Sequence, residues 1–154
     1  MTIQGRPWIA DVGLGRFTLR APIPFELHHI AVQDGRRFRL VEAEPFGIML
    51  QTRHEEQWLN LYSFDVGYVC PADIAYGNHF TSTHPSSLFT FARVAALARP
   101  HGHVSLFNRT LRTVTASTVQ EQELAEGQPY LDALHTHFGI ELDAPYEAMR
   151  PLAP

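Results

Sequence analysis

The first residues with the makings of chemistry come early. In "WIADVGLGR", residues 8–16, an apolar run stops at Asp11, and Gly13 and Gly15 follow on either side of Leu14. A carboxylate at the end of a buried strand is costly to keep charged unless donors satisfy it. Two roles fit that requirement. One is a tight turn, in which Asp and Gly are favoured for their local hydrogen bonding and backbone freedom. The other is the orientation of a histidine. The carboxylate holds one imidazole nitrogen protonated, so that the other can take a proton from a nucleophile. The two glycines would then let the backbone approach a ligand closely. A Gly-x-Gly without a third glycine at the usual spacing is not a dinucleotide loop.

A nucleophile and a base should be sought alongside such an acid. Cys70 is the sole cysteine, which excludes an internal disulfide and a multi-cysteine zinc site and agrees with a reducing compartment. A thiolate needs a base or a positive neighbour to act near neutral pH. His79 and His84 lie near Cys70 in sequence, yet free cysteines usually serve as small buried hydrophobes. The remaining histidines, His28-His29, His101-Gly-His103 and His135-Thr-His137, contain no i, i+4 helical pair. His101 and His103 could share a strand face, but no carboxylate stands at a matching offset, so no metal site is predicted.

The elements that must position these groups read as follows. The stretches 36–42, 46–51 and 57–64 are short, rich in aromatic or branched residues, and separated by turn signals at Asp34-Gly35 and Pro45. In the last of them, Trp58, Asn60, Tyr62 and Phe64 should share one face and Leu59 and Leu61 the other, so both faces should be covered. Pro71 and Asp73 suit a helix start, and the polar stretch 81–87 reads as a loop. Residues 103–108 and 112–118 are further strands, and Thr118-Val-Gln-Glu121 looks like a capping box opening a short helix that Gly127 ends. A second helix from Pro129 carries Leu131, Leu134 and Phe138 at helical spacing and stops at Gly139. The fold class expected is α+β, mainly β. An antiparallel β unit comes first, and further strands and helices follow it.

Composition narrows the partners. With 154 residues, 45% of them hydrophobic, and a net charge of −4, the chain can bury a core but offers no basic field for nucleic acid. No apolar stretch approaches the roughly 20 residues needed to span a bilayer, and the first residues lack the build of a secretory signal. Neither nucleic acid nor membrane is expected as a partner, and the cytoplasm is the default compartment.

Taken in order, "PWIADVGLGRFTLRAPIPFEL" (7–27), "NHFTSTHPSSLFTF" (78–91) and "FGIEL" (138–142) resemble the arylamine N-acetyltransferases, over nearly the whole chain. The resemblance implies an N-terminal helical bundle that supplies a cysteine, a β-barrel-like domain that supplies a histidine and then an aspartate, and a third domain that closes the cleft. On this chain it implies an antiparallel, barrel-like β domain over 1–80, incomplete at its N-terminus, followed by a smaller strand-and-helix lid domain over 81–154. Acetyl-CoA acylates the cysteine, and the acetyl group passes to a small aromatic amine or hydrazine. Asp11 falls on the family's triad aspartate, and Gly13 and Gly15 fall on the loop near the CoA and the acyl group. Leu14 stands where an aromatic is common, which implies an altered acceptor pocket, because an aliphatic wall cannot stack on an aryl ring. Thr83 and His84 carry over only a structural or cleft-lining role.

The family's cysteine and histidine both precede the aspartate. Only ten residues precede Asp11 here, and none is Cys or His. The expectation is therefore a C-terminal portion, inactive alone, whose triad is completed by an N-terminal helical segment in cis or in trans. A misplaced start codon at Met1 is the other explanation of the missing segment. Loss of that segment would uncover apolar surface, so self-association is the other expected partnership. The alternative reading is a noncatalytic domain that keeps the acetyltransferase shape and binds CoA, an aryl ligand or a protein.

Overall fold

The computed structural model describes residues 1–13, 15–17 and 19–152. Its contacts divide the chain into two compact units, Met1–Gly67 and Tyr68–Pro154, each with its own core.

The first unit opens with three short strands, β1 (Thr2–Ile3), β2 (Arg6–Ile9) and β3 (Ile23–Pro24), in the order β1-β2-β3. A four-stranded antiparallel meander follows, in the order β4-β5-β6-β7: β4 (Ala31–Gln33), β5 (Arg36–Glu42), β6 (Ile48–His54) and β7 (Gln57–Phe64). Asp34 and Gly35 both have positive φ, 50° and 77°, as the tight β4–β5 hairpin requires. Side chains alternate across a strand, so Phe38 and Leu40 of β5 and Leu50 of β6 turn the same way and are buried with Leu19 and Ile23. Each such side chain contributes about 1.5–3 kcal/mol of hydrophobic stabilisation. Thr52 is buried among them, and its hydroxyl donates to the Arg37 carbonyl at 3.2 Å.

Strand β7 departs from the simple alternation expected of it. Its register against β6 shifts between Leu50 and Gln51: Gln51 faces Asn60, while Leu50 faces Tyr62. Leu61 is the extra residue of a β-bulge, and a bulge re-aims every side chain beyond it. Trp58 and Asn60 therefore lie on the outward face, whereas Tyr62 and Phe64 pack against the core cluster. Leu59 is exposed, so the strand is not covered on both sides.

The second unit begins with α1 (Pro71–Thr83), followed by a 3-10 turn at Leu88–Thr90. The loop expected over 81–87 starts later than its polarity suggests. Thr81, Ser82 and Thr83 each donate a hydroxyl to the carbonyl four residues back, at 2.7, 2.7 and 2.6 Å, and so continue the helix. A second antiparallel meander has the order β11-β10-β9-β8: β8 (Val94–Arg99), β9 (Gly102–Phe107), β10 (Thr110–Val114) and β11 (Val119–Glu123). Helix α2 (Gln128–Phe138) buries Tyr130, Ala133 and Leu134 with Val104, Leu106, Leu111 and Leu124. It ends as its sequence predicts, on Gly139 in the left-handed conformation (φ 67°), whose N–H donates to His135, while Ile140 N–H donates to Leu134.

The capping-box helix expected from Thr118 is strand β11. The Thr118 hydroxyl pairs with the Thr115 hydroxyl at 2.7 Å, and the Thr118 N–H donates to Thr115 Oγ1 at 3.0 Å, which closes a hairpin instead. Pairing with β10 from Val114↔Val119 to Thr110↔Glu123 then outweighs local propensity. Among the described residues the molecule is thus mainly β with two α-helices, and its sheets are open rather than closed into a barrel.

Candidate active site around Asp11

Strand β2 pairs with β3 through Trp8↔Pro24 and Ile9↔Ile23 and then ends, which leaves Asp11 two residues past the last paired position. There the carboxylate is half-buried. Asp11 Oδ1 accepts the Gly13 N–H at 2.7 Å, the local turn that Asp-x-Gly favours. A Cβ on Gly13 would meet that same oxygen at 3.5 Å, so the close approach does not itself demand glycine. Gly15 does sit in the left-handed region, at φ 58°, where it opens a 3-10 turn through Phe17. Leu14 lies outside the described residues.

A second donor comes from far along the chain. The Tyr62 hydroxyl hydrogen-bonds the Asp11 carboxylate. Burial, then that hydrogen bond, then the carboxylate's charge push the Tyr62 phenol well above its ordinary value of 10.0. Tyr62 therefore remains a protonated donor throughout the neutral range. The β7 bulge makes this contact possible, because without it Tyr62 would share the outward face with Trp58 and Asn60. The ring is further fixed by Phe64, with centroids 6.1 Å apart, and Phe64 by Phe25 at 6.3 Å. A carboxylate can accept about four hydrogen bonds. Held by a backbone amide and a phenol, it is well suited to orient a third donor such as an imidazole N–H.

The other groups singled out from sequence make contacts of their own. Cys70 is the N-cap residue of α1. Its backbone N–H donates to Asp73 Oδ2 at 3.0 Å, and this bond with the thiol contact holds the Asp73 carboxyl below its usual range. His84 stacks on Phe80 at 4.5 Å, and its Nδ1 accepts the Ser86 N–H at 3.2 Å. Ser87 Oγ donates to the Thr81 carbonyl at 2.6 Å, so the "STHPSS" stretch braces the end of α1. His135 reaches Glu141 at 3.2 Å. Among the described residues no three His, Cys, Asp or Glu side chains come together as metal ligands. An open cavity of about 650 Å³ in the second unit is lined by Phe89, Phe91, Arg93, Met149 and Arg150, among others.

Sequence reasoning singled out Asp11 as a candidate and did not single out Tyr62 beside it. The only signal that could have found it is the row of aromatics on β7, and the one-residue bulge that selects Tyr62 leaves no mark in the sequence.

Known proteins are similar to this chain along most of its length. The N-acetyltransferase family profile matches residues 1–146. An arylamine N-acetyltransferase of Mycobacterium bovis is 28% identical over 139 residues, which is 90% of this chain and 49% of the relative. A Salmonella typhimurium protein described as an arylamine N-acetyltransferase / N-hydroxyarylamine O-acetyltransferase is 34% identical over 87 residues, 56% of this chain and 31% of the relative. Among solved structures, the Mycobacterium marinum arylamine N-acetyltransferase in complex with CoA superposes with a TM-score of 0.78 at 28% identity, covering 90% of this chain and 52% of that one. The Salmonella typhimurium enzyme gives 0.78 at 26% identity, covering 90% and 51%. The chain thus spans about half the length of the relatives that it matches along most of its own length. The family match and the shared fold together place this chain in the arylamine N-acetyltransferase family.

Proposed function

We propose that this chain carries the acid of a Cys-His-Asp triad that transfers acetyl from acetyl-CoA to a small aromatic amine or hydrazine. Asp11 is that acid. Its carboxylate holds the imidazole of a histidine in the tautomer whose other nitrogen accepts the thiol proton. The cysteine and histidine come from sequence outside these residues, in cis or in trans, and the chain by itself does not turn over. The observation that carries this reading is the two-donor grip on Asp11 by the Gly13 amide and the Tyr62 hydroxyl, on a carboxylate just past the end of β2. A plain turn would need only the first.

CoA is the bound molecule in the Mycobacterium marinum relative, and acetyl-CoA is the acyl donor proposed here. Gly13 and Gly15, which carry no side chains, leave the backbone after β2 open to the donor's approach. The test mixes the chain with a helical fragment bearing a cysteine and a histidine, taken from a relative, and follows CoA thiol release from acetyl-CoA with an aromatic hydrazine. Turnover is expected only in the mixture. Turnover by the chain alone would overturn the assignment and direct attention to Cys70. If neither preparation turns over while CoA still raises the thermal stability of the chain, the noncatalytic binding reading takes its place.

A further inference from the structure

The outward face of the β4–β7 sheet has a composition that acetyl transfer at Asp11 does not explain. Phe38, Leu40, Leu50 and Thr52 point inward and are buried. Their neighbours Arg37 and Arg39 on β5, Gln51 and Arg53 on β6, and Trp58 and Asn60 on β7 therefore share the opposite face. Tyr62, beyond the bulge, is not among them.

This face is ordered by its own contacts. Arg39 Nε donates to Gln51 Oε1 at 2.8 Å, and Gln51 Nε2 donates to Asn60 Oδ1 at 2.7 Å. The Arg39 guanidinium lies over the Trp58 ring at 4.1 Å, and that of Arg53 stands 5.8 Å from the same ring. Stacking fixes the plane of Arg39 and leaves its two terminal nitrogens as a preset fork of the kind that grips a carboxylate. Of the three arginines, only Arg53 has an acidic partner among the described residues, Glu56 at 2.6 Å. The β5–β6 register ends at Phe38↔Thr52, and continued by one residue it sets Arg37 beside Arg53, where like charges across strands are destabilising. Two guanidiniums at one indole, with Arg37 farther along the same face, form a local positive surface set against the chain's net charge of −4. Val32, 62% exposed and paired with Arg37, extends it with an apolar shoulder. Arg and Trp are the residue types that dominate interface centres.

We propose that this face docks an acidic, extended segment of a partner protein, whose carboxylates pair with Arg37 and Arg39 while its apolar side chains cover Val32 and Trp58. Charge complementarity selects that occupant, and spacing supports it. Alternate residues of an extended segment repeat at roughly 6.5–7 Å, which is the separation of Arg37 and Arg39 along β5. The site is independent of the triad reading, because it uses the opposite face of the sheet.

The probe is a fluorescein-labelled peptide of alternating Glu and Val, titrated with the full chain at low ionic strength and read by anisotropy. Binding should weaken as salt rises. It should fall by about 10-fold or more in Arg37→Gln/Arg39→Gln, as expected when paired charges are removed from an interface. Arg37→Gln alone, at an exposed side chain that makes no hydrogen bond among the described residues, should show a smaller loss with an unchanged far-UV spectrum. It keeps the test decisive if the double variant misfolds. Arg112→Gln, an exposed arginine of the second unit, should have no effect. The proposal fails if the peptide does not bind at about 1 mM, or if Arg112→Gln weakens binding as much as Arg37→Gln does. It also fails if inorganic pyrophosphate competes at equal concentration, which would mark a small-anion site instead.

Discussion

Asp11 is one residue, but its surroundings decide what it can do. A carboxylate and an amide accept the Gly13 N–H equally well, so Asp11→Asn should leave the turn and the fold intact. It removes the charge that fixes the imidazole tautomer, and kcat of the reconstituted enzyme should drop by about 10³–10⁴-fold. A drop of less than tenfold in that assay would return Asp11 to the role of a turn residue. Tyr62→Phe probes the second donor through stability. The folded-state phenol titrates above its unfolded value of 10.0, so its stabilisation is complete below pH 10 and is lost as pH rises from there towards the folded value. Urea unfolding should show the parent chain losing more stability than Tyr62→Phe between pH 9 and about pH 11. Equal losses would mean that the phenol gains nothing from its setting. At this scale the acid was legible because Asp-x-Gly after an apolar run is a local pattern. Its partner was not, because that contact spans fifty-one positions and hangs on a bulge at Leu61.

At the scale of elements, sequence reading succeeded where the signal was local and strong. The β5 and β7 strands occupy the stretches expected, and α2 ends on Gly139 as its left-handed cap demands. It failed at β11, where the Thr118-to-Glu121 pattern describes a helix start equally well. Hairpin closure by Thr115 and long-range bonds decided the outcome, with Arg109 pairing Glu123 at 3.0 Å. The same meander contains a sharper constraint that no sequence pattern announces. A Cβ on Gly102, at the start of β9, would overlap the carbonyl oxygen of Val114 at the end of β10. Backbone cannot yield as a flexible side chain can. Gly102→Ala should therefore cost about 2–3 kcal/mol, read as a lower urea midpoint with an unchanged m-value. A midpoint within error of the parent would show that the β9–β10 hairpin relaxes freely.

For the molecule as a whole, composition indicated a chain able to fold but not what it leaves uncovered. Two separate apolar clusters supply the cores, yet α1 has no buried residue among its thirteen. Tyr76 is 75% exposed and Phe80 44%, four residues apart and so on one side of the helix. Tyr68 (89%), Phe89 (61%) and Phe91 (48%) add further apolar surface close by in sequence. A helix of this length is marginal in water unless a face is packed, and contiguous apolar surface beyond a few hundred Å² is rare on a stable monomer. The chain on its own should therefore associate at micromolar concentration, with scattering that grows with concentration. Tyr76→Ser/Phe80→Ser should suppress that association, because neither ring belongs to a core cluster. If the covering partner is the helical portion proposed to complete the triad, adding it should disperse the self-associated species and raise helicity at 222 nm in the same titration that restores turnover. A chain that stays monodisperse to about 100 μM would show that α1 needs no cover, and association that survives the double substitution would place the sticky surface elsewhere.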